Sequence, residues 1–186
     1  MPPSLEMALG NPRRFQDDAD LDRVRRALGW MTPESRDAIR AGSLPLGVLR
    51  PGEFVLFVSY ISCGFGLPLS SFFLLLLEDY GLQLQHLTPH SILQVSIFVH
   101  LCEMFVGVRP CVAPFRHFFV LTKTGKAKGE VGAYYFQTRP GSSSVYPPST
   151  GPAKWEHWRS DWVLATTEAN DRLVLPTGTP GTEKTH

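Results

Sequence analysis

Ser96, His100 and Glu103 stand at positions i, i+4 and i+7 of one apolar stretch. On a helix the three side chains share a stripe about 60° wide. A hydroxyl, an imidazole and a carboxylate are the residue types of acyl transfer: a nucleophile, its base, and the group that orients the base. The stripe lacks the other half of that chemistry. A serine in mid-helix has no free backbone N–H beside it to form an oxyanion hole, because those donors are already in the helix ladder. No G-x-S-x-G elbow occurs anywhere in the chain. These three residues therefore read as the polar side of a helix, and no catalytic residue is assigned.

His100, Cys102, Cys111 and His117 are the residue types that hold zinc. Their spacing argues against a site. There is no C-x-x-C pair, and His100 and Cys102 point about 200° apart on one helix. Buried cysteines are most often small hydrophobes. No P-loop, G-x-G-x-x-G, H-E-x-x-H or aspartic-protease D-[ST]-G is present, and the acids Glu53, Glu78, Asp79 and Glu103 do not space like a two-metal carboxylate set. The chain is not expected to be an enzyme, and neither a metal nor a cofactor is expected.

A third chemistry is backbone gripping and base stacking. Lys123, Lys126 and Lys128 lie in one loop, and Lys154 and Arg159 are interleaved with Trp155, Trp158 and Trp162. Basic and aromatic residues mixed in this way can bind single-stranded nucleic acid without sequence preference. Glu130, Glu156 and Asp161 partly neutralise that surface. The whole chain of 186 residues carries 18 basic and 17 acidic side chains, a formal charge of +1, so bulk phosphate neutralisation is not its mode of action.

The elements that must position these residues follow from composition and punctuation. Forty of the 70 residues from 51 to 120 are hydrophobic, and no Lys or Arg occurs in the 58 positions between Arg50 and Arg109. This middle third is the expected core. Its longest apolar run, Phe72 to Leu77, is six residues, far short of the ~20 of a membrane span. Glu53 to Tyr60 reads as a strand covered on both faces. Pro68 is expected to open a helix that closes at Gly81, and Thr88-Pro89 a longer one, about 89–106, closed by Gly107. A short helix near Ala113–Arg116 leads into a strand, His117–Thr122, paired through the lysine loop with a second strand, Glu130–Thr138. Towards the N-terminus, helices are expected from Asp20 to Gly29 and from Thr32-Pro33 to Gly42. Pro140–Pro152 is rich in Ser, Pro and Gly and reads as a mobile loop. Trp155–Val163 is expected to supply a helical turn and an edge strand, and the Thr/Gly/Pro stretch from Thr177 to be disordered.

Gly52-Glu53-Phe-Val-Leu-Phe-Val-Ser-Tyr60, Gly64-Phe-Gly-Leu-Pro68 and Tyr80-Gly-Leu-Gln-Leu-Gln-His-Leu-Thr-Pro89 occur in one order and spacing. They are followed by Ile92-Leu93, Phe98-Val99, Leu101-Cys102-Glu103, Phe105, Gly107, Arg116-His117, Phe119 and Trp158-Arg159-x-x-Trp162. Together these resemble the plant "putative gypsy-type transposon" domain over residues 15–165, most specifically over 52–119. The resemblance implies a domain derived from gypsy-class retrotransposons, often labelled transposase, whose matching residues are those of turns, helix starts and core. The family has a small residue where Ser96 stands, threonine where His100 stands, and no counterpart of Cys111. Pro114 replaces a helix-compatible apolar residue, so the short helix before Arg116 is expected to fray.

The expectation is an α+β fold, a helical core with a small antiparallel sheet, in one domain with flexible termini. Residues 1–44 form an N-terminal segment, 45–165 the domain and 166–186 a tail. Its function is expected to be non-catalytic: protein–protein assembly with itself or with element-encoded proteins, through apolar surface around Phe72–Leu77 and the tryptophan segment. Nucleic-acid binding through the lysine loop and the tryptophans is the alternative. No membrane association is expected. With three cysteines and no signal peptide from Met1 to Gly10, an intracellular location is expected.

Overall fold

The computed structural model describes residues 24, 39–41, 50, 52–67, 69–123, 133–142, 145–147, 158–159 and 161–166. Strand β1 is Ile39–Ala41 and β2 is Glu53–Phe57, which runs directly into helix α1, Val58–Ser62. Helix α2, Ser71–Asp79, follows, then a 3-10 turn at Leu84–His86 and helix α3, Pro89–His100, prolonged by a π-helical turn, Leu101–Val106. Helix α4, Val112–Phe118, leads into β3, Phe119–Lys123; β4 is Tyr134–Thr138 and β5 is Trp162–Thr166. The class is α+β, with two small antiparallel sheets, β1-β5-β2 and β3-β4.

All five residues of β2 are buried, in keeping with a strand covered on both faces. The strand stops three residues before Tyr60: the Val58 amide still donates to the carbonyl of Asp161, the residue before the paired strand β5, at 2.9 Å, and helix begins at Val58. Tyr60 thereby points into the core, where its hydroxyl donates to the carbonyls of Leu87, at 2.5 Å, and Leu84, at 3.3 Å. Burial pushes this phenol well above its usual range.

The first sheet corrects two sequence readings. Trp162–Thr166 is its central strand and not an edge: Phe57 pairs with Trp162 and Glu53 with Thr166 on one side, and Ile39 with Ala165 on the other. Trp162 to Ala165 are all buried. Ile39–Ala41, expected at the end of a helix, is a strand paired to β5. Tertiary pairing overrides weak local propensity at a position with a β-branched residue.

Helix α2 starts where Ser70 accepts the Phe73 amide, at 3.2 Å. Its apolar run is covered on more than one side. Phe72 packs on Phe98 and Phe115, Phe73 packs on Phe65, and Leu76 and Leu77 are buried; Leu75 is exposed. Helix α3 begins as expected, with Thr88 accepting the Ser91 amide at 3.3 Å and Pro89 in its first turn. Pro89–Val106 has the length and composition of a membrane span, 18 residues with mean hydropathy 1.3. Its buried polar residues are used inside the fold. Ser91 is fully buried; its hydroxyl donates to the Tyr134 carbonyl, at 3.0 Å, and accepts the Phe136 amide, at 3.2 Å, which pins α3 to β4.

Helix α4 is longer than expected. Pro114 lies in its first turn, where an N–H would have no intrahelical partner, so the ring costs no hydrogen bond. His117 belongs to this helix and not to the strand. β3 and β4 pair from Phe119–Thr138 to Lys123–Tyr134, and Glu130 to Gly132, expected at the start of β4, lie outside the described residues. Within the stretch expected to be a mobile loop, of which 140–142 and 145–147 are described, the Tyr146 ring is buried 4.8 Å from Phe119 and 5.4 Å from Phe118. The helices expected from Asp20 and Thr32, and the tail from Thr177, fall outside the described residues, apart from helical, buried Val24 and strand β1.

Candidate interaction site

The polar stripe of α3 borders a cleft of about 350 Å³ between that helix and the segment Gly64–Ser70. The segment is held in place by the end of α1. The Phe65 amide donates to the Tyr60 carbonyl, at 2.9 Å, and the Gly64 amide to that of Ile61, at 3.0 Å, the paired bonds of a Schellman stop. Gly64 takes the left-handed conformation this requires, φ +89°, and lies hard against α3: a Cβ there would sit 2.8 Å from Ser96 Oγ. Ser96 is thus the small side chain over which the loop backbone passes. Phe65, Leu67, Phe73, Ile92, Val95 and Val99 make the cleft's walls apolar.

His100 and Glu103 line the same cleft and are exposed. Among the described residues, Ser96 and His100 share no side-chain hydrogen bond; the His100 ring instead meets Phe105 edge-on at 5.8 Å. The three residues are brought to one surface without the contacts of a nucleophile and its base.

Beyond His100 the helix widens. In an unbroken α-helix Phe105 would lie seven residues from Phe98, on the same buried face. The π-helical turn rotates less per residue and carries Phe105 away from that face. Phe98 is 3% exposed and Phe105 is 75% exposed. Met104, Val106 and Val108 are 70%, 67% and 51% exposed. Gly107, at φ +73°, then reverses the chain, and the Val108 amide returns to the Cys102 carbonyl at 2.9 Å. The apolar surface expected on Phe72–Leu77 is therefore elsewhere: that run is mostly core, and Met104–Val108 is the exposed one.

The basic and aromatic residues are only partly placed. Lys126, Lys128, Lys154 and Trp155 lie outside the described residues. Lys123 is exposed at the end of β3. Trp158 is half-buried, with its ring 4.8 Å from Phe57 and 5.7 Å from Tyr60, and the Arg159 guanidinium lies 4.7 Å from its centroid. Trp162 is 1% exposed, which leaves no ring face for a base. It was a stacking candidate by composition and is a core residue by position.

The zinc-type residues do not converge. Among the described residues no three His, Cys, Asp or Glu side chains are grouped as a metal ion would need. Cys63 is buried, and burial pushes its thiol up to about 12, while Cys111 is exposed. Two residues organise the site in ways that sequence alone does not reveal. Ser91 fixes α3 against β4, and Gly64 sets the cleft's end. The glycine was visible as part of a motif, but only the approach of α3 explains it.

No curated protein and no solved structure matches the chain. Over residues 55–123, from the middle of β2 through the cleft, α3 and the π-helical turn to the end of β3, the chain matches the family described as "Putative gypsy type transposon".

Proposed function

We propose that the chain is a non-catalytic protein–protein interaction module associated with a gypsy-type element, and that its contact surface is centred on Met104–Val108. The partner is a second copy of the chain or another element-encoded protein. One observation carries the reading: four large apolar residues close together in the chain, Met104 to Val106 on the π-helical turn and Val108 just beyond it, are exposed at 51% to 75%. Monomeric soluble proteins rarely leave a contiguous apolar patch uncovered without using it in association. The non-catalytic part of the reading is supported by Ser96, whose position under Gly64 is a packing role, and by the absence of a free oxyanion donor in mid-helix.

Light scattering over a concentration series, with binding of an apolar-surface dye, tests this. The wild-type chain is expected to bind the dye and to gain mass with concentration. Phe105→Asp should reduce both while its circular dichroism stays unchanged, because the replaced ring is not in the core. A strict monomer that binds no dye would overturn the reading.

A further inference from the structure

The cleft and the exposed turn are parts of one surface. Ser96 and Glu103 are seven residues apart on the same helix, about 10 Å along its axis. The Ser96 end is closed by the Gly64 backbone. At the other end stand His100, in ring contact with Phe105, and Glu103. An apolar trough bounded by Phe65, Phe73, Val95 and Val99 thus ends at His100, whose ring contact joins it to exposed Phe105. Glu103 is the sole carboxylate in its lining among the described residues, no Lys or Arg lines it, and no described cation pairs with Glu103.

We infer that this cleft is the specificity pocket of the interaction face. It takes a large apolar side chain of a partner peptide that carries a Lys or Arg next to that anchor. The inference rests on the interaction reading above and names what the partner must present. Three features point to this occupant. The volume, about 350 Å³, is near the lower end of ligand pockets and suits one or two side chains better than an extended cofactor. The walls reward burial of an apolar group. The single unpaired carboxylate at the open end favours a cation there and disfavours an acidic neighbour. Continuity with Phe105 lets the rest of the peptide cover the exposed turn, as an apolar helix face does in a groove.

A random-peptide display library selected against the immobilised full chain tests the pocket. Selected peptides are expected to share a large apolar residue with a Lys or Arg close by. Their synthetic forms should bind Val99→Trp, which fills the trough from its half-buried side, and Glu103→Lys, which reverses the rim charge, about tenfold more weakly or worse. Glu103 is exposed, so that variant remains informative if the tryptophan variant fails to fold. Peptides with no basic preference, peptides that bind both variants as well as wild type, or no enrichment at all would overturn the pocket. Loss of binding in Phe105→Asp alone would overturn the pocket and leave the interaction face standing.

Discussion

Gly64 and Ser96 show how closely single residues are constrained here. Gly64 needs a positive φ to end α1, and its Cα faces Ser96 with no room for a methyl group. Gly64→Ala therefore meets two penalties, a strained backbone and a clash, and is expected to cost about 2–4 kcal/mol in urea denaturation. Ser96→Gly in the same chain should restore the part due to the clash, so the pair will be non-additive in a double-mutant cycle. Additive costs would show that the loop does not rest on Ser96. The contact also accounts for a small residue at this position, and it changes the meaning of a serine that type and spacing alone present as a nucleophile.

Among the elements, the 3-10 turn at Leu84–His86 and the first turn of α3 carry a pH dependence. The Gln83 amide donates to His86 Nδ1, at 3.1 Å, which requires that nitrogen to be unprotonated. Burial lowers the pKa of His86, and likewise that of His90. Both groups then bind protons more readily in the unfolded chain than in the folded one. Their contribution to stability is full above about pH 6.5, the unfolded value, and is lost as pH falls through the lower folded values. The urea midpoint is expected to drop between pH 7.5 and pH 5, and to drop less in His86→Gln. An identical drop in that variant would remove His86 from the account. Helix starts and stops were legible in Thr88-Pro89, Gly81 and Gly107. The π-helical turn was not, because nothing in Leu101–Val106 distinguishes a wide turn from a regular one. That one irregularity separates Phe105 from the face of Phe98.

For the whole molecule, the family match and the folding unit differ in extent. Residues 55–123 contain α1 to α4 and β3, but β2 pairs with β5, and β3 pairs with β4, beyond that segment. Expressed alone, 55–123 would leave two strands with open hydrogen-bonding edges and would lose Trp162–Ala165 from the core. It is expected to show no near-ultraviolet circular dichroism and no cooperative melt, whereas the full chain shows both. A cooperative melt of the short piece would mean that the β1-β5-β2 sheet is dispensable.

The α+β class, most of the core between residues 51 and 120, the helices that begin near Pro68 and at Thr88-Pro89, and the resemblance to gypsy-type transposon domains were determined by the sequence itself. They rest on local signals: apolar density, cap residues, and glycine or proline at turns. Which strand is central, which aromatic residues are buried and which apolar run reaches the surface were decided only by the tertiary structure. Trp162 and Phe105 are equally apolar in composition; one is buried opposite Phe57 in the central strand of a sheet, and the other is turned outwards by a change of helical pitch. Burial is a property of what arrives from elsewhere in the chain, and local sequence does not encode it.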